Sequence, residues 1–88
     1  CVTGVQTCAL RSLKAAERLG VAPARCVVVE DAVPGIDAAH AAGMPCVAIC
    51  SAGHTHAELA GAERVIDAFE ELTVDAMAAV LAAGLRVP

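Results

Sequence analysis

Short apolar runs alternate with amphipathic segments along the chain, and this alternation predicts its elements. Three runs are too short for helices and predict strands at 25–29, 46–50 and 64–66. Apolar positions at helical spacing predict helices over 10–19, 34–42 and 56–60, a helical turn over 69–72, and a last helix from Thr73 or Asp75 to Ala83. The order α-β-α-β-α-β-α is typical of an α/β fold with parallel strands and flanking helices.

Glycine and proline mark the predicted ends of these elements. Gly20, Gly43 and Gly84 each follow a helical segment, and glycine readily takes the left-handed conformation that ends a helix. Pro34 falls near a first helical position, where its missing N–H costs nothing. Leu10, Leu13, Ala16 and Leu19 form the predicted apolar stripe of the first helix, whereas the segment before Leu10 shows no clear period.

Glu30 and Asp31 carry the clearest chemistry. They end an apolar strand and precede a Pro–Gly turn into a helix. Carboxylates are rarely buried without a partner, and open α/β sheets bind ligands at the carboxyl ends of their strands. Because Mg²⁺ prefers oxygen ligands, Asp31 and Glu30 are the candidate metal ligands. Two alternatives stay open: Asp31 as the N-cap of the following helix, and Glu30 as a solvated charge.

Composition narrows the classes of partner. The formal charge of −4 offers no basic surface for nucleic acid, and no apolar run reaches the roughly 18 residues that span a bilayer. No signal peptide is recognisable at the N-terminus. Five cysteines, three of them in or beside strand-like runs, predict reduced thiols and a cytoplasmic location.

The spacing of the histidines and cysteines along the chain does not favour a zinc centre. The chain contains no CxxC pair. His54, in a loop predicted over 51–54, is two residues from His56, and His40 lies on a predicted helix. We therefore expect solvent-exposed histidines near a substrate opening rather than three ligands of one metal.

The eighteen residues from Val27 to Met44 resemble the fourth motif of haloacid dehalogenase (HAD)-like hydrolases, in the branch containing phosphoglycolate phosphatase and β-phosphoglucomutase. Flanking segments 15–21 and 64–72 also resemble that family, which extends the resemblance over about 13–83. The resemblance implies a partial Rossmann-like HAD core, with 13–88 as its C-terminal part. It also implies that Asp31 ligates Mg²⁺, that Glu30 commonly contributes, and that the parent enzyme hydrolyses a small phosphorylated metabolite through a phosphoaspartate.

Several parts of the family's machinery have no counterpart in the 88 residues. No DxDx[TV] motif supplies the nucleophile. The Lys that holds phosphate would fall near Gln6, and Lys14 lies too far along the helix to replace it. The cap that selects substrate is also missing. We therefore expect a fragment that is inactive alone, with a phosphosugar mutase fragment and a non-catalytic folding or association fragment as alternatives.

The N-terminal segment carries a separate expectation. Residues 1–10, CVTGVQTCAL, resemble a translated sequencing adapter, so residues 1–12 are expected to be an artefact outside the family. A divergent natural N-terminus is the alternative. The strand ending at Val29 is expected to be an exposed apolar edge, and folding of the chain alone is expected to be marginal.

Overall fold

A three-stranded parallel sheet with helices on both faces forms the fold. The computed structural model describes residues 5–50 and 54–85, with side chains described for 9–50 and 54–83. The elements are α1 (Val5–Leu19), β1 (Val28–Glu30), α2 (Val33–Ala41), β2 (Cys46–Ile49), β3 (Arg64–Ile66) and α3 (Val74–Leu85). The sheet order is β1-β2-β3, which confirms the predicted α/β class with three parallel strands.

The central strand β2 separates two apolar layers. Its alternating side chains face opposite ways, because successive residues of a strand point to opposite faces. Cys46 and Ala48 pack with Ile36 of α2 on one face, around the fully buried Leu59. The other face packs against α3, through Val47, Ile66 and Val80. The sheet is thus covered on both faces, as parallel sheets require.

Helices α1 and α2 end in the same glycine motif. Gly20 has φ +68° and Gly43 has φ +74°, the left-handed region that favours glycine. After α2, Gly43 N–H donates to the His40 carbonyl at 3.0 Å and Met44 N–H to the Ala39 carbonyl at 2.9 Å. These two bonds form a Schellman motif, and they satisfy carbonyls that the helix end leaves open. The predicted ends at Gly20 and Gly43 are confirmed.

Other predicted bounds are wrong by a few residues. Strand β1 starts at Val28 rather than Arg25, because a 3₁₀ turn occupies Pro23–Arg25, and it includes Glu30. The predicted helix 56–60 is a series of hydrogen-bonded turns. The predicted turn at 69–72 is a 3₁₀ turn, Phe69–Glu71, and α3 continues through Gly84. Of the predicted loop 51–54, residues 51–53 lie outside the described residues.

The first helix differs most from its prediction. It begins at Val5 rather than Leu10, and of the predicted apolar stripe Ala16 is buried whereas the leucines are exposed. Leu10 and Leu19 are 66% and 75% exposed, whereas Ala9 and Ala16 are buried against Ala42 and Met44. Small residues form this contact and let α1 and α2 approach closely. No helix in the described part of the chain has the length and apolar character needed to cross a membrane.

Candidate metal site

Glu30 and Asp31 lie at the carboxyl edge of the sheet. Glu30 is the last residue of β1 and pairs in register with Ala48 of β2. Because the strands are parallel, β2 and β3 end at the same edge, after Ile49 and Ile66. The sequence prediction placed the two carboxylates at this kind of edge, where open α/β sheets bind their ligands.

The Glu30 side chain folds back onto the start of α2. Its carboxyl group lies directly above Gly35, so closely that a Cβ at Gly35 would overlap the Glu30 Cγ, Cδ and Oε2 atoms. Gly35 is therefore required here for close approach rather than for a positive φ. The N-terminal end of a helix carries a partial positive charge, which favours a carboxylate at this position. Glu30 is half-buried in consequence rather than freely solvated.

The Asp31 side chain is exposed and does not cap the helix. The N-cap of α2 is Ala32, which makes no side-chain capping bond, so the alternative of Asp31 as N-cap is wrong. Pro34 lies in the first helical turn, as predicted. Within 5–50 and 54–85, neither Asp31 nor Glu30 makes an ion pair or a side-chain hydrogen bond. Both carboxylates therefore keep their oxygen atoms available to a cation.

An open cleft lies beside the two carboxylates. It is lined by Val29, Glu30, Asp31, Ile49 and Phe69. Phe69, the one aromatic residue of the chain, is 67% exposed at this cleft. Sequence reasoning did not assign Phe69 to the site, because it is distant along the chain and its 3₁₀ turn had no motif of its own. The cleft thus offers carboxylate oxygens beside an apolar wall.

The donor chemistry of this edge fits Mg²⁺. Two carboxylates supply hard oxygen atoms, and protein sites for Mg²⁺ often use one or two carboxylates with water and phosphate oxygens completing the shell. Asp31, which is exposed beside the cleft, is the better placed to ligate directly. Glu30, drawn back over Gly35, is suited to a supporting position in the same site.

The three histidines do not gather into one centre in the described part of the chain. Each pairs with a carboxylate instead. The three pairs are His40–Glu63 at 2.8 Å, His54–Glu58 at 3.0 Å and His56–Asp67 at 2.7 Å.

Comparison with known families identifies the class of protein to which this sheet and its flanking helices belong. The family model described as HAD-hydrolase-like matches residues 9–72. This match covers well over half of the chain, so the chain belongs to the HAD-hydrolase-like family.

Individual relatives extend the same comparison. The chain is 47% identical over 53 residues to a CBBY-like protein of Arabidopsis thaliana, covering 60% of this chain and 17% of that protein. It is 41% identical over 58 residues to Protein CbbY of Cereibacter sphaeroides, covering 66% of this chain and 25% of that protein. The matched segment therefore spans a quarter or less of these relatives. No solved structure matches the chain.

Proposed function

We propose that this chain carries the metal-binding part of a Mg²⁺-dependent HAD phosphatase that hydrolyses small phosphomonoesters. The observation that carries the proposal is the pair of carboxylates, Glu30 and Asp31, that line a cleft at the carboxyl edge of the sheet and bond to no side chain among the described residues. Membership of the HAD-hydrolase-like family and the CbbY relatives support the reaction class.

Each residue of the site has a distinct task in this proposal. Asp31 holds Mg²⁺ directly, and Glu30 adds negative charge to the same site from its position over Gly35. Bound Mg²⁺ neutralises charge on a transferring phosphoryl group and orients it. Phe69 and Val29 form the apolar wall of the open cleft.

The 88 residues contain no DxDx[TV] motif, so we expect no turnover from this chain alone. The test is a phosphatase assay with p-nitrophenyl phosphate and Mg²⁺, with the Asp31→Asn variant alongside. Release of nitrophenol at the rate of the buffer blank is the expected result. Mg²⁺-dependent turnover that Asp31→Asn abolishes would overturn the inactive-fragment part of the proposal and retain the metal site.

The coding DNA tests the parent activity independently. An in-frame DxDx[TV] motif and a KPxPD-like segment upstream of codon 11 would supply the nucleophile and the phosphate-holding Lys. Adapter sequence at that position would instead support an artefactual N-terminus. A chain extended by an intact upstream frame should hydrolyse phosphomonoesters with Mg²⁺, and failure of that extended protein to do so would contradict the phosphatase assignment.

A non-catalytic association fragment is the second candidate, and one observation favours it. Leu10, Leu19 and Val29 are exposed apolar residues on α1 and on the edge strand β1. Such surfaces favour association with another chain.

For the compartment we infer a reducing cytoplasm, because Cys26, Cys46 and Cys50 are free thiols.

A further inference from the structure

A second group of metal-ligating side chains lies apart from Glu30 and Asp31. Cys50, His56 and Asp67 each offer one ligand atom, and the three atoms all lie within 4.8 Å of one another. Cys50 directly follows β2, Asp67 directly follows β3, and His56 lies in the turn region between those strands. The fold thus gathers three different ligand types from three segments of the chain.

Hydrogen bonds fix the backbone of each segment. The Cys50 N–H donates to the Ile66 carbonyl at 2.7 Å, which continues the pairing of β2 with β3. The Asp67 N–H donates to a Glu71 carboxylate oxygen at 2.7 Å. A backbone-to-side-chain hydrogen bond of 3.2 Å closes the turn that carries His56. The three ligands therefore start from ordered positions, which lowers the entropy lost on binding a cation.

The side chains of this group are accessible to solvent. His56 Nε2 and Asp67 Oδ1 lie 2.7 Å apart, and their side chains are 56% and 67% exposed. The Cys50 thiol is half-buried and donates a weak hydrogen bond to the His54 carbonyl at 3.4 Å. A cation from solvent can thus reach His56 and Asp67 directly, and the Cys50 side chain beside them is only half-buried.

We propose that Cys50, His56 and Asp67 bind a zinc-class cation at a site separate from the Mg²⁺ site. Thiolate and imidazole are ligands that suit Zn²⁺, whereas Mg²⁺ binds oxygen. The thiolate and carboxylate charges together neutralise a divalent ion. Ligands of tetrahedral zinc lie about 3.3–3.6 Å apart. On binding, His56 Nε2 and Asp67 Oδ1 therefore separate by about 0.6 Å, whereas the Cys50 Sγ atom, within 4.8 Å of both, moves closer by about 1 Å at most, and water takes the fourth position.

Sequence spacing did not reveal this group. Zinc sites that can be recognised in a sequence contain close pairs of ligand residues such as CxxC, and no such pair occurs in the chain. Cys50 and Asp67 meet because parallel pairing of β2 with β3 brings the two strand ends together. The order and pairing of the strands, rather than the spacing of the residues in the sequence, therefore bring these ligands together.

Cobalt titration of the full 88-residue chain tests the proposal, because a Co²⁺–thiolate bond gives an intense charge-transfer absorption. The unaltered chain should show this band at one equivalent of Co²⁺. Added Zn²⁺ should displace the Co²⁺ and remove the band. Cys50→Ser should abolish the band, and His56→Gln and Asp67→Asn should weaken Zn²⁺ binding by at least about tenfold. Far-ultraviolet circular dichroism checks that each variant keeps its fold.

Matched controls use neighbouring residues of the same type. Cys26→Ser and His54→Gln should leave the Zn²⁺ affinity within about twofold, because neither side chain belongs to the group. Asp31→Asn should also leave it unchanged, which separates failure of this site from failure of the Mg²⁺ site. Absence of a thiolate band in the unaltered chain, or equal losses in Cys26→Ser and Cys50→Ser, would overturn the zinc site.

Discussion

The Cys46 thiol is the titratable group most strongly affected by folding among those described. Burial, followed by the negative charges of Glu63 and Glu30, raises the pKa of Cys46 from 9.0 to about 12. Glu63 is close because its Oε1 accepts the Cys46 N–H at 2.7 Å. The same oxygen lies 2.8 Å from His40 Nε2, so Glu63 links β2 to α2. The carboxylate that links these elements therefore adds to the effect of burial, which is the main reason that the thiol stays neutral.

Alkaline pH should destabilise the fold through Cys46. The unfolded thiol ionises near pH 9, while the folded thiol keeps its proton to about pH 12. Between pH 9 and pH 12 the unfolded state therefore binds fewer protons than the folded state. The unfolding free energy is unaffected below pH 9 and falls above it. The loss should be about 1.4 kcal/mol per pH unit until pH 12.

Urea titrations at pH 8, 9 and 10, followed by circular dichroism, measure this loss. Trimethylamine N-oxide in every sample keeps a weakly stable chain folded. The Cys46→Ala variant is the control, since it should lose the part of the alkaline slope that belongs to Cys46. An equal slope in both proteins would show that Cys46 does not cause the alkaline destabilisation.

The start of α2 lacks a capping side chain. Ala32 is the N-cap residue and makes no side-chain bond. Gly35 N–H donates only to the Ala32 carbonyl, at 3.1 Å. Since this end of α2 carries the Glu30 carboxyl, the missing cap weakens the helix end next to the site.

Ala32→Ser should stabilise the chain by about 0.5–1 kcal/mol, because a serine at the N-cap can accept the Gly35 N–H. Urea unfolding in trimethylamine N-oxide measures the change. Ala41→Ser, at an exposed position in the last turn of the same helix, is the matched control and should be neutral or slightly destabilising. Equal effects of the two substitutions would contradict a capping role.

Sequence pattern predicted the existence and order of the elements better than their bounds or faces. The strands, the parallel sheet and the glycine ends of α1 and α2 follow from local chemistry. The buried face of α1 follows only in part, because Ala16 is buried as predicted and Ala9 joins it, while the leucines of the predicted stripe stay outside. Hydrophobicity alone favours leucine for the interior, and only the shape of the partner helix reverses that choice.

The residues of the candidate site were likewise predicted only where a local sequence signal marks them. Glu30 and Asp31 were predicted from adjacent residues, since a strand end and a Pro–Gly turn are local signals. Phe69 and the cluster of Cys50, His56 and Asp67 join residues that are distant in sequence. Their proximity depends on strand order and register, which no local pattern specifies.

The whole chain should be only marginally stable as an isolated monomer. Many of its buried apolar residues are alanine, and the largest fully buried side chains are Leu59, Val47 and Cys46. Strand β1 lies at a sheet edge with Val29 exposed, as predicted, and α1 exposes Leu10 and Leu19. A small core supplies little free energy to offset the entropy of folding.

Scanning calorimetry at a concentration where light scattering shows a monomer tests this expectation. We expect a broad transition with little excess heat, and association as the concentration rises. Val29→Lys should reduce the association, because a lysine on an edge strand opposes pairing with another chain. A sharp, cooperative transition of the monomer would refute marginal stability.

Metal binding at Asp31 tests the central claim of a Mg²⁺ site most directly. Mn²⁺ accepts the same oxygen ligands as Mg²⁺ and broadens the NMR signals of nearby nuclei. In the 88-residue chain, Mn²⁺ should broaden the amide signals of Glu30, Asp31 and Ala32 first, and excess Mg²⁺ should reverse this. Asp31→Asn should abolish the effect, while Asp37→Asn, an exposed carboxylate on α2, should preserve it. Broadening that survives Asp31→Asn unchanged, or that centres on another segment, would contradict the site.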